Sequence, residues 1–326
     1  MNNNDTIDIL MATYNGAKNL SRQIESILNQ THSNINLIIS DDCSKDDTVE
    51  ILKKYESLDD RIKVYVHNEN MGSTKNFEFL LSKVTSKYFM FSDQDDVWYE
   101  FKVKDTYECI KENDSDLVFT DLHVADEKLN IINDSFNTLK KLKYKINKYS
   151  DYRLEYLYNT ITGCTIMCKS DRIKDFTPFP TNKNVIHDAW MGLILSIKGK
   201  ISYLDKPTLM YVQHSNNQIG AKRYTDQFEN FKDVRKHFID IKLSRFNEFK
   251  ARDNVFNDEL KKLNDEAIKY YNSIAEVKFI NFKYIRTFHK LYKWDSLSYY
   301  IIQYIVMNVP FIAKFIYNVK SKVSKG

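Results

Sequence analysis

Asp93, Asp95 and Asp96 are the residues of this 326-residue chain whose type and spacing most plainly suit chemistry. They sit in Phe91-Ser92-Asp93-Gln94-Asp95-Asp96-Val97-Trp98. Carboxylates packed this closely repel one another unless protons or a cation neutralise them, and oxygen ligands of this kind suit Mg2+ or Mn2+ carrying a phosphate. An acidic turn capping the next helix would use the same residues. Other chemistry-bearing groups are Asp41-Asp42, His187-Asp188 and His214.

The elements around these groups alternate. Ile7 to Met11 reads as a first strand, followed by the turn signal Asn15-Gly16 and a helix on which Leu20, Ile24, Ile27 and Leu28 recur at helical spacing. Asn36 to Ser40 is a second strand ending on Asp41-Asp42, and Ser44 to Thr48 supplies caps for a helix through Tyr55. Ile62 to Val66 is a third strand, and Gly72-Ser73 leads into a helix over 75–84. Lys87 to Phe91 is apolar and aromatic, a buried strand that delivers the acidic stretch at its carboxyl end. Open α/β sheets place their ligands at such strand ends. The alternation predicts an α/β fold with a mostly parallel sheet.

Beyond it the pattern predicts a helix over 101–112, a strand over 116–121, a polar Lys/Asn-rich connection over 122–150 and a short helix over 153–158. Strands follow at 161–167, 201–204 and 208–212, with a helix opening at His187-Asp188 and running to Ile197. From about Thr225 only helical spacing remains, as in Phe228, Phe231, Val234, Phe238 and Ile241, so a domain boundary is expected near 220. This gives a catalytic domain over 1–220 and a helical region over 221–326.

Hydrophobic residues make up 43% and Gly and Pro together only 11 positions, so a packed core is expected and extensive disorder is excluded. The net charge of +4 is uneven, because 271–326 carries nine Lys or Arg against Glu276 and Asp295. A basic, aromatic tail behind a mildly acidic body points to a membrane surface and away from sequence-specific nucleic-acid binding. The apolar run over 297–319 is interrupted by Gln303, Asn308, Pro310 and Lys314; it reads as an interfacial helical hairpin or as packing against the rest of the chain, not as a span. The 4 Cys form no CxxC pair, and a reducing compartment is expected. No secretory signal pattern opens the chain, which places it in the cytoplasm.

Four features together resemble the inverting family 2 glycosyltransferases of GT-A fold, over residues 5–220. They are Ala12-Thr13-Tyr14-Asn15-Gly16 after the first strand, Asp41-Asp42 after the second, Asp93-Gln94-Asp95-Asp96, and His187-Asp188. Ser92 to Trp98, with Tyr211 to Gly220, is most similar to the branch of rhamnosyltransferases that build bacterial surface polysaccharides. The resemblance implies a Rossmann-like central sheet flanked by helices, with a C-terminal helical extension. It also implies a dTDP- or UDP-sugar donor, a lipid-linked or oligosaccharide acceptor, Mn2+ or Mg2+, and a peripheral place at the inner face of the cell membrane.

It further implies roles. Asp93 and Asp95 form the DxD pair, with Asp95 the direct metal ligand and His214 a further ligand or a donor to the diphosphate. Ala12 and Tyr14 meet the base, Asp42 or Asp41 accepts its imide N–H, and Lys75 reaches the diphosphate or stays solvated. Asp188 is the base that deprotonates the acceptor hydroxyl, and Trp98 and Trp190 stack on sugar faces or pack in the core. Two other classes compete. A non-catalytic binding protein would not need the full set of acids, and a nucleotidyltransferase would need a Gly-rich basic phosphate loop, which Thr13 to Ala17 is not.

Overall fold

The computed structural model describes residues 5–136, 156, 159–214, 231–275, 285–292, 301, 304–305 and 308–309. Strand β1 (Ile7–Thr13) lies at the centre of one half of the sheet because both its faces are apolar. Ile7, Ile9 and Met11 point one way and Leu10 the other, all fully buried. It pairs in parallel with β2 (Ile35–Asp41) and β4 (Tyr88–Ser92), and β2 with β3 (Ile62–Val66). Helices α1 (Ala17–Leu28), α2 (Thr48–Leu58) and α3 (Ser73–Leu81) make the crossovers. On α1 the buried stripe is Leu20, Ile24 and Ile27, each contributing about 1.5–3 kcal/mol of apolar burial.

Past β4 the sheet becomes mixed. Its nine strands among the described residues run β3-β2-β1-β4-β8-β6-β9-β5, with β7 on β6. Here β5 is Val97–Trp98, β6 Leu117–Ala125, β7 Ile131–Asn133, β8 Ile166–Lys169 and β9 Ile201–Val212. Strand β8 is antiparallel to both β4 and β6, and β5 is antiparallel to β9, while β6 and β9 are parallel. The parallel arrangement thus belongs to the first half. In the second half β6 turns back through a hairpin into β7, without a crossover helix, and antiparallel pairing is the result.

Three element boundaries differ from expectation for physical reasons. The apolar run 161–167 begins as a 3-10 turn, Gly163–Thr165, and only then becomes β8. The separate strands expected at 201–204 and 208–212 are one strand, whose register shifts against β6 where Asp121 faces Pro207, a residue without an N–H to donate. The polar connection begins later than 122, since β6 continues to Ala125; residues 137–155, with 157 and 158, lie outside those described.

The chain divides into two compact units, Met1–Thr181 with Ile186–Gln218, and Asn182–Val185 with Ile219–Gly326. Within the second, α6 (Phe231–Ala251), α7 (Asp258–Ala275) and α8 (Ile285–Tyr292) are helical. The buried Asn264 amide there donates to the Phe246 carbonyl at 3.0 Å, and Phe246 packs on Tyr271. Most of 297–319 lies outside the described residues, among which no helix is long and apolar enough to cross a membrane.

Candidate active site

The parallel register brings the carboxyl ends of three strands to one rim, with Thr13 beside Asp41 and Met11 beside Ser92. The loops leaving those ends carry the residues singled out above. Tyr14 stands 46% exposed, and the Gln94 amide clamps its backbone by accepting from Tyr14 N at 2.9 Å and donating to Tyr14 O at 3.1 Å. The acidic loop and the first loop are therefore one unit. Gly16 is what lets Gln94 pass, because a Cβ there would lie 2.2 Å from Gln94 Oε1. We expect Gly16→Ala to cost about 1–3 kcal/mol of stability through this collision. Gln94→Ala loses the same two bonds to Tyr14, so adding Gly16→Ala to it should be nearly neutral in thermal melts, and fully additive losses would disprove the collision.

Asp41 and Asp42 both have structural work. Asp41 accepts from Thr13 Oγ1 at 3.0 Å and Ser44 N at 2.9 Å. Asp42 accepts from Met71 N at 2.7 Å and Gly72 N at 2.8 Å, one bond to each oxygen. Gly72 reaches that position with φ of 84°, a conformation that side chains disfavour. A carboxylate offers about four lone-pair sites, so Asp42 keeps roughly one on each oxygen for a ligand. Ala12 lies on β1 beside Ser40, and Lys75 is exposed on the first turn of α3.

The acidic loop is fastened from two sides. The buried Gln23 amide accepts from Ser92 Oγ and Trp98 Nε1 and donates to the Asp96 carbonyl at 2.6 Å. Val97 and Trp98 then pair with Met210 and Leu209 of β9. Just past β9, Gln213 N donates to the Ala125 carbonyl at 2.9 Å, and the next residue, His214, meets Asp95 Oδ2 through Nε2 at 2.7 Å. Asp93 is half-buried, and its carboxyl is pushed up to about 7 by desolvation and by the charges of Asp95 and Asp188. Asp96 is also raised, by burial first and by its acidic neighbours second. It does not cap the next helix. Its carboxylate is wholly buried with neither oxygen hydrogen-bonded, while Phe101 occupies the start of α4 (Lys102–Glu112).

The opposite wall comes from α5 (His187–Lys198) and the Gly163–Thr165 turn. Asp188, on the first turn of α5, accepts from Gly163 N at 3.0 Å on one oxygen and from Asn159 Nδ2 at 3.0 Å on the other. A Cβ on Gly163 would lie 3.4 Å from His187 Nε2 and 3.6 Å from Asp188 Oδ2, ordinary van der Waals contact, so what Gly163 supplies is its N–H. His187 packs its ring among Phe77, Phe91 and Phe179, and burial lowers its pKa.

Asp93, Asp95, Asp188 and His214 are thus brought together, joined to the Tyr14 loop through Gln94. Trp98 and Trp190 are not available for sugar stacking. They are 3% and 2% exposed, Trp98 beneath Lys102 and Trp190 with its Nε1 on the Phe176 carbonyl, and a stacking platform needs an open face. Sequence reasoning missed the clamp role of Gln94, the support of Asp188 by Asn159 and Gly163, and the position of Cys164. For Gly163 a signal existed, since an isolated glycine in a strand pattern marks a close backbone approach. Asp95 meets the His214 imidazole directly, and Asp93 feels the charges of Asp95 and Asp188, so oxygen and nitrogen groups of the type that suit a divalent cation lie near one another here.

An α/β sheet that gathers carboxylates at the carboxyl ends of its strands, with a further acid on a facing helix, is the arrangement of GT-A glycosyltransferases. Solved structures share this fold. S. aureus TarS 1–349, in complex with UDP-GlcNAc, superposes with a TM-score of 0.57 at 17% identity, covering 93% of this chain and 81% of that one. The mannosyltransferase PcManGT from Pyrobaculum calidifontis, in complex with GDP-Man and Mn2+, gives 0.52 at 13% identity over 82% and 73%.

The chain belongs to glycosyltransferase family 2, whose family description, Glycosyl transferase family 2, matches residues 8–173. It is 30% identical to the dTDP-rhamnosyl transferase RfbG of Shigella flexneri over 266 residues, 77% of this chain and 88% of that protein. It is 27% identical to the putative teichuronic acid biosynthesis glycosyltransferase TuaG of Bacillus subtilis strain 168, over 67% and 82%.

Proposed function

We propose that this chain is a metal-dependent inverting glycosyltransferase that moves one sugar, rhamnose or another hexose, from a dTDP- or UDP-sugar to a lipid-linked saccharide of a bacterial surface polysaccharide. The observation that carries this reading is the Gly163–Thr165 turn. Gly163 holds Asp188, and Cys164 of the same turn lies against Asp93 and Asp96, so one turn joins the base to the acidic loop. The choice of rhamnose rests on the similarity to RfbG, and the nucleotide donor is in keeping with the UDP-sugar and GDP-sugar complexes of the fold relatives.

In this reading Tyr14 receives the base, Asp42 or Asp41 accepts its imide N–H, and Lys75 reaches towards the diphosphate. Asp95, Asp93 and His214 would hold a divalent cation, whose chemistry is to offset the negative charge growing on the leaving diphosphate. Asp188 takes the proton from the acceptor hydroxyl as that oxygen attacks the anomeric carbon from the face opposite the nucleotide. Its hydrogen bonds from Gly163 N, Asn159 Nδ2 and Ala189 N fix the carboxylate before substrate arrives. The test is the anomeric configuration of the product by proton NMR, with dTDP- and UDP-sugars offered in parallel. Inversion supports the assignment, and retention excludes it.

The raised Asp93 carboxyl gives a pH dependence. Its folded-state value of about 7 exceeds the ordinary 3.8, so the metal-free fold binds more protons than the unfolded chain between those limits. On this group, stability falls as pH rises through that window. A cation requires the ionised form and expels the proton. Mn2+ affinity should therefore weaken by up to about tenfold per pH unit below 7 and level off above about 8. Isothermal titration at pH 6 and pH 8 checks this, and equal affinities would show that Asp93 is already ionised or not a ligand.

A further inference from the structure

Asp93, Asp96 and Cys164 offer one ligand atom each, all within 4.8 Å of one another. Two of the three are buried beneath the acidic loop, Asp96 fully and Cys164 with 1% exposure, while Asp93 is half-buried and opens towards solvent. By hydrogen-bond geometry neither Asp96 carboxylate oxygen is satisfied among the described residues, and the Cys164 thiol beside it is only a weak S–H donor. A buried carboxylate left in that state is costly and calls for a ligand. The donor set differs in kind from the loop above it. Asp95 and His214 present oxygen and nitrogen, whereas this cluster adds sulfur, and thiolate selects Zn2+ and its heavier congener Cd2+ over Mn2+ or Mg2+.

Charge balance agrees. Two carboxylates and a thiolate bring three negative charges, and a divalent cation cancels two of them. The third is met by the fully buried Lys102 ammonium, which lies 4.8 Å over the Trp98 ring, hydrogen-bonds Thr208 Oγ1 at 3.2 Å and is electrostatically coupled to Asp96 and Cys164.

We propose that Asp93, Asp96 and Cys164 form a second metal site, specific for thiophilic divalent cations of the Zn2+ class, which shares Asp93 with the acidic loop. On binding, the cation takes a lone pair from each carboxylate and from the thiolate, and the Cys164 proton leaves to solvent together with any proton held by the Asp93 and Asp96 carboxyls. Because one carboxylate cannot serve both ions fully, Zn2+ here withdraws Asp93 from the transfer site. That consequence rests on the metal role given to Asp93 above; the binding itself does not.

The test uses the full chain, reduced and free of Mn2+, titrated with CdCl2 while thiolate-to-cadmium charge-transfer absorption is followed. The expected result is one equivalent of Cd2+ with a single-thiolate band, displaced by ZnCl2. The band should vanish in Cys164→Ser and persist in a Cys43→Ser/Cys109→Ser/Cys168→Ser chain. Asp96→Asn, which keeps the thiol, should weaken Cd2+ binding by about tenfold or more. A band that survives Cys164→Ser, an affinity untouched by Asp96→Asn, or no band in the native chain overturns the site. None of these readouts involves sugar transfer, so a failed glycosyltransferase assignment would not produce them. Transfer in Mn2+ that is indifferent to saturating ZnCl2, with the Cd2+ band present, overturns the shared use of Asp93 alone.

Discussion

Asp188→Asn is expected to lower sugar transfer by about 10²–10⁴-fold while nucleotide-sugar affinity stays within a few-fold of the native value. That loss corresponds to roughly 3–5 kcal/mol of transition-state stabilisation. The substitution keeps size and planarity but removes the group that accepts the proton. It also turns one of the two accepting oxygens into a donor, facing either Gly163 N or the pair Asn159 Nδ2 and Ala189 N. A modest stability loss should follow, of about 1–3 kcal/mol for a mismatched buried bond. Thermal melts and donor titrations separate that loss from chemistry. The donor contacts proposed here lie on Tyr14, Asp42 and the acidic loop, not on α5, so binding should survive. Single-turnover transfer at the native rate would remove Asp188 from the base role, and loss of donor binding alongside transfer would make it a positioning residue.

Much of this candidate site was legible in the sequence because all of its parts but one follow a strand. The periodicity of β1, β2 and β4 located the loops, and the clustering of Asp93, Asp95 and Asp96 marked where charge had to be managed. His187-Asp188 was visible only as a pair opening a helix. What brings Asp188 opposite the acidic loop is the antiparallel entry of β8 and the turn before it, and long-range pairing of that kind leaves no local pattern.

The fate of the tryptophans was equally hidden. Trp98 and Trp190 have the residue type of sugar platforms, but burial depends on neighbours such as Lys102 and Phe176 that are distant in pattern. Asp96 and Cys164 show the same limit. Asp96 read equally well as part of a capping turn, Cys164 belonged to no CxxC pair, and only their proximity gives them chemistry.

For Asp95 and His214 the expected outcome is strong non-additivity. Either Asp95→Ala or His214→Ala should reduce Mn2+-supported transfer by about 10²–10³-fold, the scale of losing one electrostatic contact to a developing charge. If the two side chains act on one ion, the double variant should be little worse than the poorer single one. The geometry favours that result. Pairing of β5 with β9 fixes the two residues against each other, and the 2.7 Å contact between Nε2 and Oδ2 is the consequence. Removing the imidazole leaves Asp95 without this partner, among like charges that already raise Asp93. Removing Asp95 takes away the carboxylate 2.7 Å from His214 Nε2. The Mn2+ concentration giving half-maximal transfer should rise in both single variants, and EDTA should abolish transfer in the native chain. Independent action would instead multiply the two losses to about 10⁴–10⁶-fold. A His214→Ala protein with an unchanged Mn2+ requirement would place the imidazole on the diphosphate, not on the metal.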